Sequence, residues 1–177
     1  MVALPIVLPP TVLGFYVLLL LGPNGPVGRA VESLFGTRLP FTFEGLLVAS
    51  VLYSLPFAVQ PFAASFAAVE RTLLEAAASL GCSPLRTFFR VVLPLSRAGV
   101  VTGLVLSFAH TLGEFGVVLM VGGSIPGETR TIAIAIYDRV QAFDEPAAAT
   151  MALVLLVMAV AALGISNTLA RRAARRD

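Results

Sequence analysis

The chain has no lysine and no tryptophan, one histidine, one cysteine, and only 12% charged residues among its 177. Each shortage closes off a class of function. Without lysine there is no G-x-x-x-x-G-K-[ST] phosphate-binding loop, so the chain is not expected to be a nucleotide hydrolase or to bind ATP and magnesium itself. One histidine (His110) and one cysteine (Cys82) cannot assemble a His/Cys zinc cluster, and no metal site or other cofactor is expected. No serine stands with a histidine and an acid in an arrangement suited to nucleophilic catalysis, so no catalytic residue is expected either. Cys82 cannot form an internal disulfide and reads as a small, inert residue. Twelve arginines against ten acids leave a net charge of +2, too little to suggest nucleic-acid binding.

What the chain has in excess is apolar surface. At 58% hydrophobic residues and a mean hydropathy of +0.93 it is too apolar for an ordinary soluble domain, and it reads as a membrane protein surrounded by lipid. No internal repeat or linker divides it, so residues 1–177 are expected to form a single all-α transmembrane bundle of about four spans. The first uncharged run extends from Met1 to Arg29 with no positive leader, and does not read as a signal peptide. Pro5, Pro9 and Pro10 break regular helix near its start. They mark either a discontinuous helix lining a pathway or an irregular segment before a span that begins near Thr11.

A turn-rich stretch from Gly22 to Glu44 can hold a short helix around Val27–Phe35, and the uncharged residues between Glu44 and Glu70 make a second span that Pro56 and Pro61 are expected to kink. A third span runs from Ala98 through Gly113 and on from Phe115 to Val121, interrupted only by His110 and Glu114. Gly99, Gly103 and Ser107 recur every four positions along it, a face that lets another helix approach closely. In the segment after Gly122, Ile132, Ile134 and Ile136 alternate like a strand. An isolated strand at a membrane surface would leave its backbone unpaired, so a short interfacial helix is expected instead. Ala147–Ala170 forms the fourth span, and Arg171, Arg172, Arg175 and Arg176 end it as a stop and anchor.

Between the second and third spans lies a polar island, Glu70–Pro94. Leu73, Ala76, Ala77 and Leu80 follow helical spacing, and Gly81 supplies the backbone freedom that ends a helix. Ser83 can cap a second helix with Pro84 at its first position, and Leu85, Phe88, Phe89 and Val92 make its apolar stripe. Pro94 is expected to stop it at Leu93. Arginines assign the sides of the membrane. Arg71, Arg86, Arg90 and Arg97 fall in or just after this island and four more close the chain, against Arg29, Arg38, Arg130 and Arg139 elsewhere. That bias places the island and both termini in the cytoplasm.

The island also carries a resemblance. Glu75-Ala76-Ala77, three residues, Gly81, nine residues, Val91, one residue, then Leu93-Pro94, resembles the EAA loop of binding-protein-dependent ABC transporter permeases, with valine where isoleucine is commoner. Three further stretches, Leu8–Gly14, Thr111–Gly116 and Ile125–Thr131, resemble molybdate permeases, within a group shared with sulfate permeases. The resemblance implies a subunit of the bacterial cytoplasmic membrane that works as a homodimer with two cytoplasmic ATPase subunits and an external oxyanion-binding protein. ATP and magnesium would then belong to the ATPase, and Glu75, Ala76, Ala77, Gly81, Leu93 and Pro94 would couple it to the pathway. Relatives of full length carry additional membrane helices upstream, so the family's N-terminal helices are expected to be missing here.

Candidate pathway residues follow from the cost of moving an anion through hydrocarbon, which calls for donors without a deep charge trap. Hydroxyls of Thr11, Thr102, Ser107 and Thr111, or amides freed near Pro9 and Pro10, can supply them, although for each hydroxyl taken singly a bond back to its own helix is the favoured role. His110 and Glu114, four residues apart, are expected to pair on one helix face. The pair is either a structural or gating element or a consequence of helix packing. A secondary transporter or a non-transporting scaffold would also explain the spans, but neither explains the loop motif.

Overall fold

A computed structural model describes residues 4–174, and among them every regular element is helical. In chain order these are α1 (Leu4–Val7), α2 (Pro10–Leu21), α3 (Pro26–Phe35), α4 (Phe43–Ala67), α5 (Arg71–Ser79), α6 (Pro84–Thr87), a π-helical turn (Phe88–Val92), α7 (Leu93–Leu95), α8 (Arg97–Gly113), α9 (Gly116–Gly122), α10 (Ile132–Gln141) and α11 (Glu145–Ala174). Two of them, α4 and the Glu145–Ile165 part of α11, are long and apolar enough to cross a membrane. Counting the bent pairs α2 with α3 and α6–α7 with α8 as single spans raises the number to four.

The chain divides by packing into two compact units. The first comprises the residues up to Pro56 and His110–Ala159. Its core is Val17, Leu21, Ala49, Tyr53, Val117 and Val121, with Leu13, Leu18 and Leu39 against it. Here α2 and α9 lie side by side and parallel: a Cβ added to Gly116 would sit 2.7 Å from the Pro10 Cβ, and one on Gly14 would sit 2.8 Å from the Met120 Cβ. Contact this close between backbones is what a small residue permits, and it compensates for the shortness of α9. Local chemistry sets the ends. Pro9 precedes α2 and its carbonyl accepts from Val12 and Leu13, while Pro10 supplies the fixed φ suited to a first helical position. Thr131 caps α10 by accepting from the Ile134 amide at 3.4 Å, which makes the isoleucine-rich segment a helix.

The second unit comprises Phe57–Ala109 and the chain from Val160. The close face expected on α8 is present: a Cβ on Gly99 would collide with the Ser65 side chain, and one on Gly103 would come within 2.6 Å of the Phe62 ring. Thr102 donates its hydroxyl to the Ala98 carbonyl, four residues back on its own helix, at 2.9 Å.

The break expected near the start of the first apolar run is present, at Leu8–Pro9, and the path bends by 45° between α2 and α3. Two expectations need correction. The third span is not continuous through Glu114, since α8 ends at Gly113 and a new helix starts at Gly116. Pro94 does not stop the second island helix at Leu93, which has helical dihedrals. Instead the Leu93 amide reaches back five residues to the Phe88 carbonyl. A proline in an α-helix collides with the carbonyl four residues before it, and a preceding π turn relieves that collision by shifting the hydrogen-bond register. The helical path ends two residues later, at Ser96. The beginning of the apolar run, Met1 to Ala3, and the tail's Arg175 and Arg176 lie outside the described residues.

Candidate functional site

The Glu70–Pro94 island folds as a helical hairpin whose turn is fixed by hydrogen bonds. After α5 the Gly81 amide donates to the Ala78 carbonyl at 2.9 Å and the Cys82 amide to the Ala77 carbonyl at 3.1 Å, with Gly81 at φ 71°. This is the six-to-one and five-to-two pairing of a Schellman termination, in which the left-handed residue is ordinarily glycine. Ser83 then accepts from the Arg86 amide and Pro84 opens α6.

Its surface is mixed. Glu75 and Ala76 are exposed, Ala77 is the buried residue of α5, and Glu75 meets Arg71 at 3.4 Å in a solvent-exposed pair. Leu73, Leu80, Leu85 and Phe89 are exposed as well, Leu80 at 83% of its surface. Apolar side chains of this size on an arginine-bearing hairpin make a surface suited to a protein partner. The return path is anchored. Ser96 is 2% exposed and its hydroxyl donates to the Ser65 carbonyl, in the last turns of α4, at 3.1 Å. Phe88 packs edge-on against Phe66 with ring centroids 5.6 Å apart. At Ser96 the path turns by 74° into α8.

The other site is a polar cluster in the first unit, where α8 breaks. Ser54, on α4, is 4% exposed; its hydroxyl lies 2.7 Å from the Thr111 hydroxyl and 3.2 Å from His110 Nδ1. The Tyr53 ring sits 4.8 Å from the His110 ring. His110 Nε2 is 4.0 Å from Glu114 Oε2, a long contact, whereas Glu114 Oε1 accepts from the buried Val117 amide at 2.8 Å. Glu114 is therefore mainly the acceptor for the first free amides of α9, a placement that complements the positive end of that helix.

The sequence-derived candidates thus fall into two groups. Glu75, Ala76, Ala77 and Gly81 come together on one arm of the hairpin, and Leu93 and Pro94 lie at the end of the other. His110, Thr111 and Glu114 share the cluster, and Pro10 reaches it through Gly116; Pro9 and Thr11 are exposed at the beginning of α2. Sequence reasoning missed Ser54, Tyr53, Ser96 and Thr129. Ser50 and Ser54, four residues apart in an apolar helix and both buried, were a readable sign of a face turned to protein. Thr129, 2% exposed, donates to the Gly122 carbonyl at 2.6 Å and accepts from the Ile125 amide. That gives the Ile125–Thr131 stretch a structural task which only the folded loop displays.

The described residues form a helical membrane chain with a structured helix-turn-helix segment between candidate spans. The chain belongs to the family of binding-protein-dependent transport system inner membrane components, whose pattern matches residues 1–175. It is 57% identical over 143 residues to the molybdenum transport system permease protein ModB of Azotobacter vinelandii, covering 81% of this chain and 63% of that one. It is 38% identical over 169 residues to the protein of the same name from Escherichia coli K12, covering 95% and 74%. The sulfate transport system permease protein CysT of Salmonella typhimurium is 35% identical over 173 residues, covering 98% and 62%. The chain therefore spans between about three fifths and three quarters of the length of these relatives.

Proposed function

We propose that the chain is the permease subunit of an ATP-driven oxyanion importer, with molybdate as its substrate. The observation that carries this reading is the hairpin: an exposed Glu75-Ala76 segment, a turn locked at Gly81, exposed leucines, and a return path tied to α4 through Ser96. A partner ATPase that closes on ATP pushes on this surface, and the 74° joint at Ser96 passes the movement to the start of α8. Work of this kind needs a stiff lever, and the hydrogen-bonded turn provides one. The ATPase binds ATP and magnesium; this chain contributes no group to hydrolysis.

In this reading two copies of the chain form one pathway, two ATPase subunits dock on the cytoplasmic hairpins, and an external binding protein delivers the anion. The termini and the hairpin face the cytoplasm, in keeping with the distribution of arginines. Both molybdate-named relatives exceed the sulfate-named one in identity, which favours molybdate over sulfate.

The reading is tested by coexpressing the chain with a molybdate-type ATPase and binding protein, purifying through a tag on the chain, and measuring uptake of molybdate and sulfate in vesicles. Copurification and ATP-dependent molybdate uptake are expected. Uptake driven by an ion gradient without the ATPase, or the absence of any ATPase association, would overturn it, and preference for sulfate would overturn the substrate assignment alone.

A further inference from the structure

Two residues other than glycine have a left-handed backbone among those described, Phe41 at φ 62° and Phe143 at φ 57°. Bulky side chains disfavour this region, and a turn that needs it is ordinarily filled by glycine or asparagine. The chain does use glycine in left-handed positions at Gly36, Gly81, Gly123 and Gly127. Phenylalanine at the two remaining positions therefore points to a use for the ring outside the turn itself.

Their location is shared. Phe41 stands two residues before α4 and Phe143 two residues before α11, the two helices that can cross a membrane without a bend. Both rings are exposed, Phe41 at 49% and Phe143 at 91%. Hydrogen bonds on either side hold the backbone in place. The Phe41 amide donates to the Val121 carbonyl at 2.8 Å, and Thr42 caps α4 through the Gly45 amide at 3.2 Å. The Phe143 amide donates to the Val140 carbonyl and the Asp144 amide to the Arg139 carbonyl, while Asp144 accepts from the Ala147 amide to cap α11.

Charge marks the level at which each ring lies. Arg139 pairs with Asp144 at 3.0 Å and Glu145 follows, after which no charge occurs until Arg171. Arg38 pairs with Glu32 at 2.9 Å and Glu44 follows Phe41, after which no charge occurs until Glu70. Each phenylalanine sits where paired charges give way to an uncharged helix. In the membrane-spanning part of α11 only 6% of the residues are buried within the chain, so the apolar surface that continues from Phe143 is available to lipid. Tryptophan and tyrosine concentrate at this level of a bilayer, and a phenylalanine ring shares their apolar body without the polar tip.

We propose that Phe41 and Phe143 are interfacial anchors, their rings seated in the headgroup and upper acyl region of the bilayer, where they set the depth at which α4 and α11 enter it. The Phe143 ring is almost fully exposed, and the Phe41 ring lies over Gly123, whose added Cβ would come 3.3 Å from it, with its remaining surface exposed. The inference rests on membrane-family membership and not on the substrate, so a failure here leaves the importer reading intact.

Because the chain has no tryptophan, Phe41→Trp and Phe143→Trp each introduce a single fluorescent reporter, and Leu80→Trp on the hairpin serves as a water-exposed reference. The full chain is reconstituted in phosphatidylcholine–phosphatidylglycerol vesicles containing lipids brominated either high or low in the acyl chain. Blue-shifted emission is expected at positions 41 and 143, with stronger quenching by the high bromines than by the low ones and weak quenching by aqueous iodide. Leu80→Trp should show the reverse. A Leu153→Trp reporter in α11 should also shift its high-to-low quenching ratio when Phe143→Gly is added. Iodide quenching at 41 and 143 equal to that at 80, as for rings facing water or reserved for a protein partner, would overturn the proposal, as would an unchanged depth ratio in the glycine variant.

Discussion

The Ser96 hydroxyl donates to the Ser65 carbonyl at 3.1 Å, joining the exit of the hairpin to the last turns of α4. The donor is buried, so water cannot replace it. Ser96→Ala removes this part-buried hydrogen bond and costs about 1 kcal/mol, the range for an ordinary intramolecular hydrogen bond. Assembly with the ATPase should persist while molybdate uptake per ATP hydrolysed falls. An unchanged ratio would show that the joint does not transmit motion.

Gly81→Val tests the hairpin's turn. A Cβ at this position meets nothing within 4 Å, so the penalty comes from the left-handed backbone alone and amounts to about 1–2 kcal/mol, somewhat more for a β-branched residue. The spans should still insert, whereas ATPase copurification should drop. Asn, which tolerates this conformation better, should restore much of it. Normal assembly and transport by the valine variant would remove the hairpin from the coupling role.

Glu114→Gln and Glu114→Ala separate capping from charge. Glutamine keeps an oxygen for the Val117 amide, and alanine leaves that buried amide without it. The alanine variant should lose about 1 kcal/mol or more in thermal unfolding of the detergent-solubilised protein, and the glutamine variant should lose less. Equal losses would mean that the contact with His110, not the cap, is what stabilises this break.

Gly103→Leu should overfill the space between α8 and α4, since its Cβ would lie 2.6 Å from the Phe62 ring and 2.9 Å from the Ala58 carbonyl. A destabilisation of about 1–3 kcal/mol is expected. Gly164→Leu, in open space, is the control and should be neutral. Folded yields measured by size-exclusion chromatography compare the two, and equal yields would contradict the packing described here.

The purified chain on its own should show no ATP hydrolysis, because no lysine is available for a phosphate-binding loop. Activity that survives removal of copurified protein would contradict the importer reading.

The sequence by itself determined the helical membrane class, the hairpin with its turn at Gly81, and the short helix at Ile132–Gln141. These depend on local or compositional physics: uncharged runs long enough for a bilayer, glycine where a left-handed residue is needed, and the cost of an unpaired strand backbone at a membrane surface. Tertiary structure decided where helices break and which polar groups meet. The break beside Glu114 has a local part, the carboxylate accepting from the Val117 amide, and a tertiary part, α9 lying against α2 at Gly14 and Met120. Ser54 and Thr111 are 57 positions apart, and their contact depends on how α4 and α8 lie against each other. Pro94 shows the same limit in reverse: the local rule forecast a stop, and a π turn one residue upstream absorbed it, since shifting one hydrogen-bond register kept the path to Ser96 and its bond to Ser65.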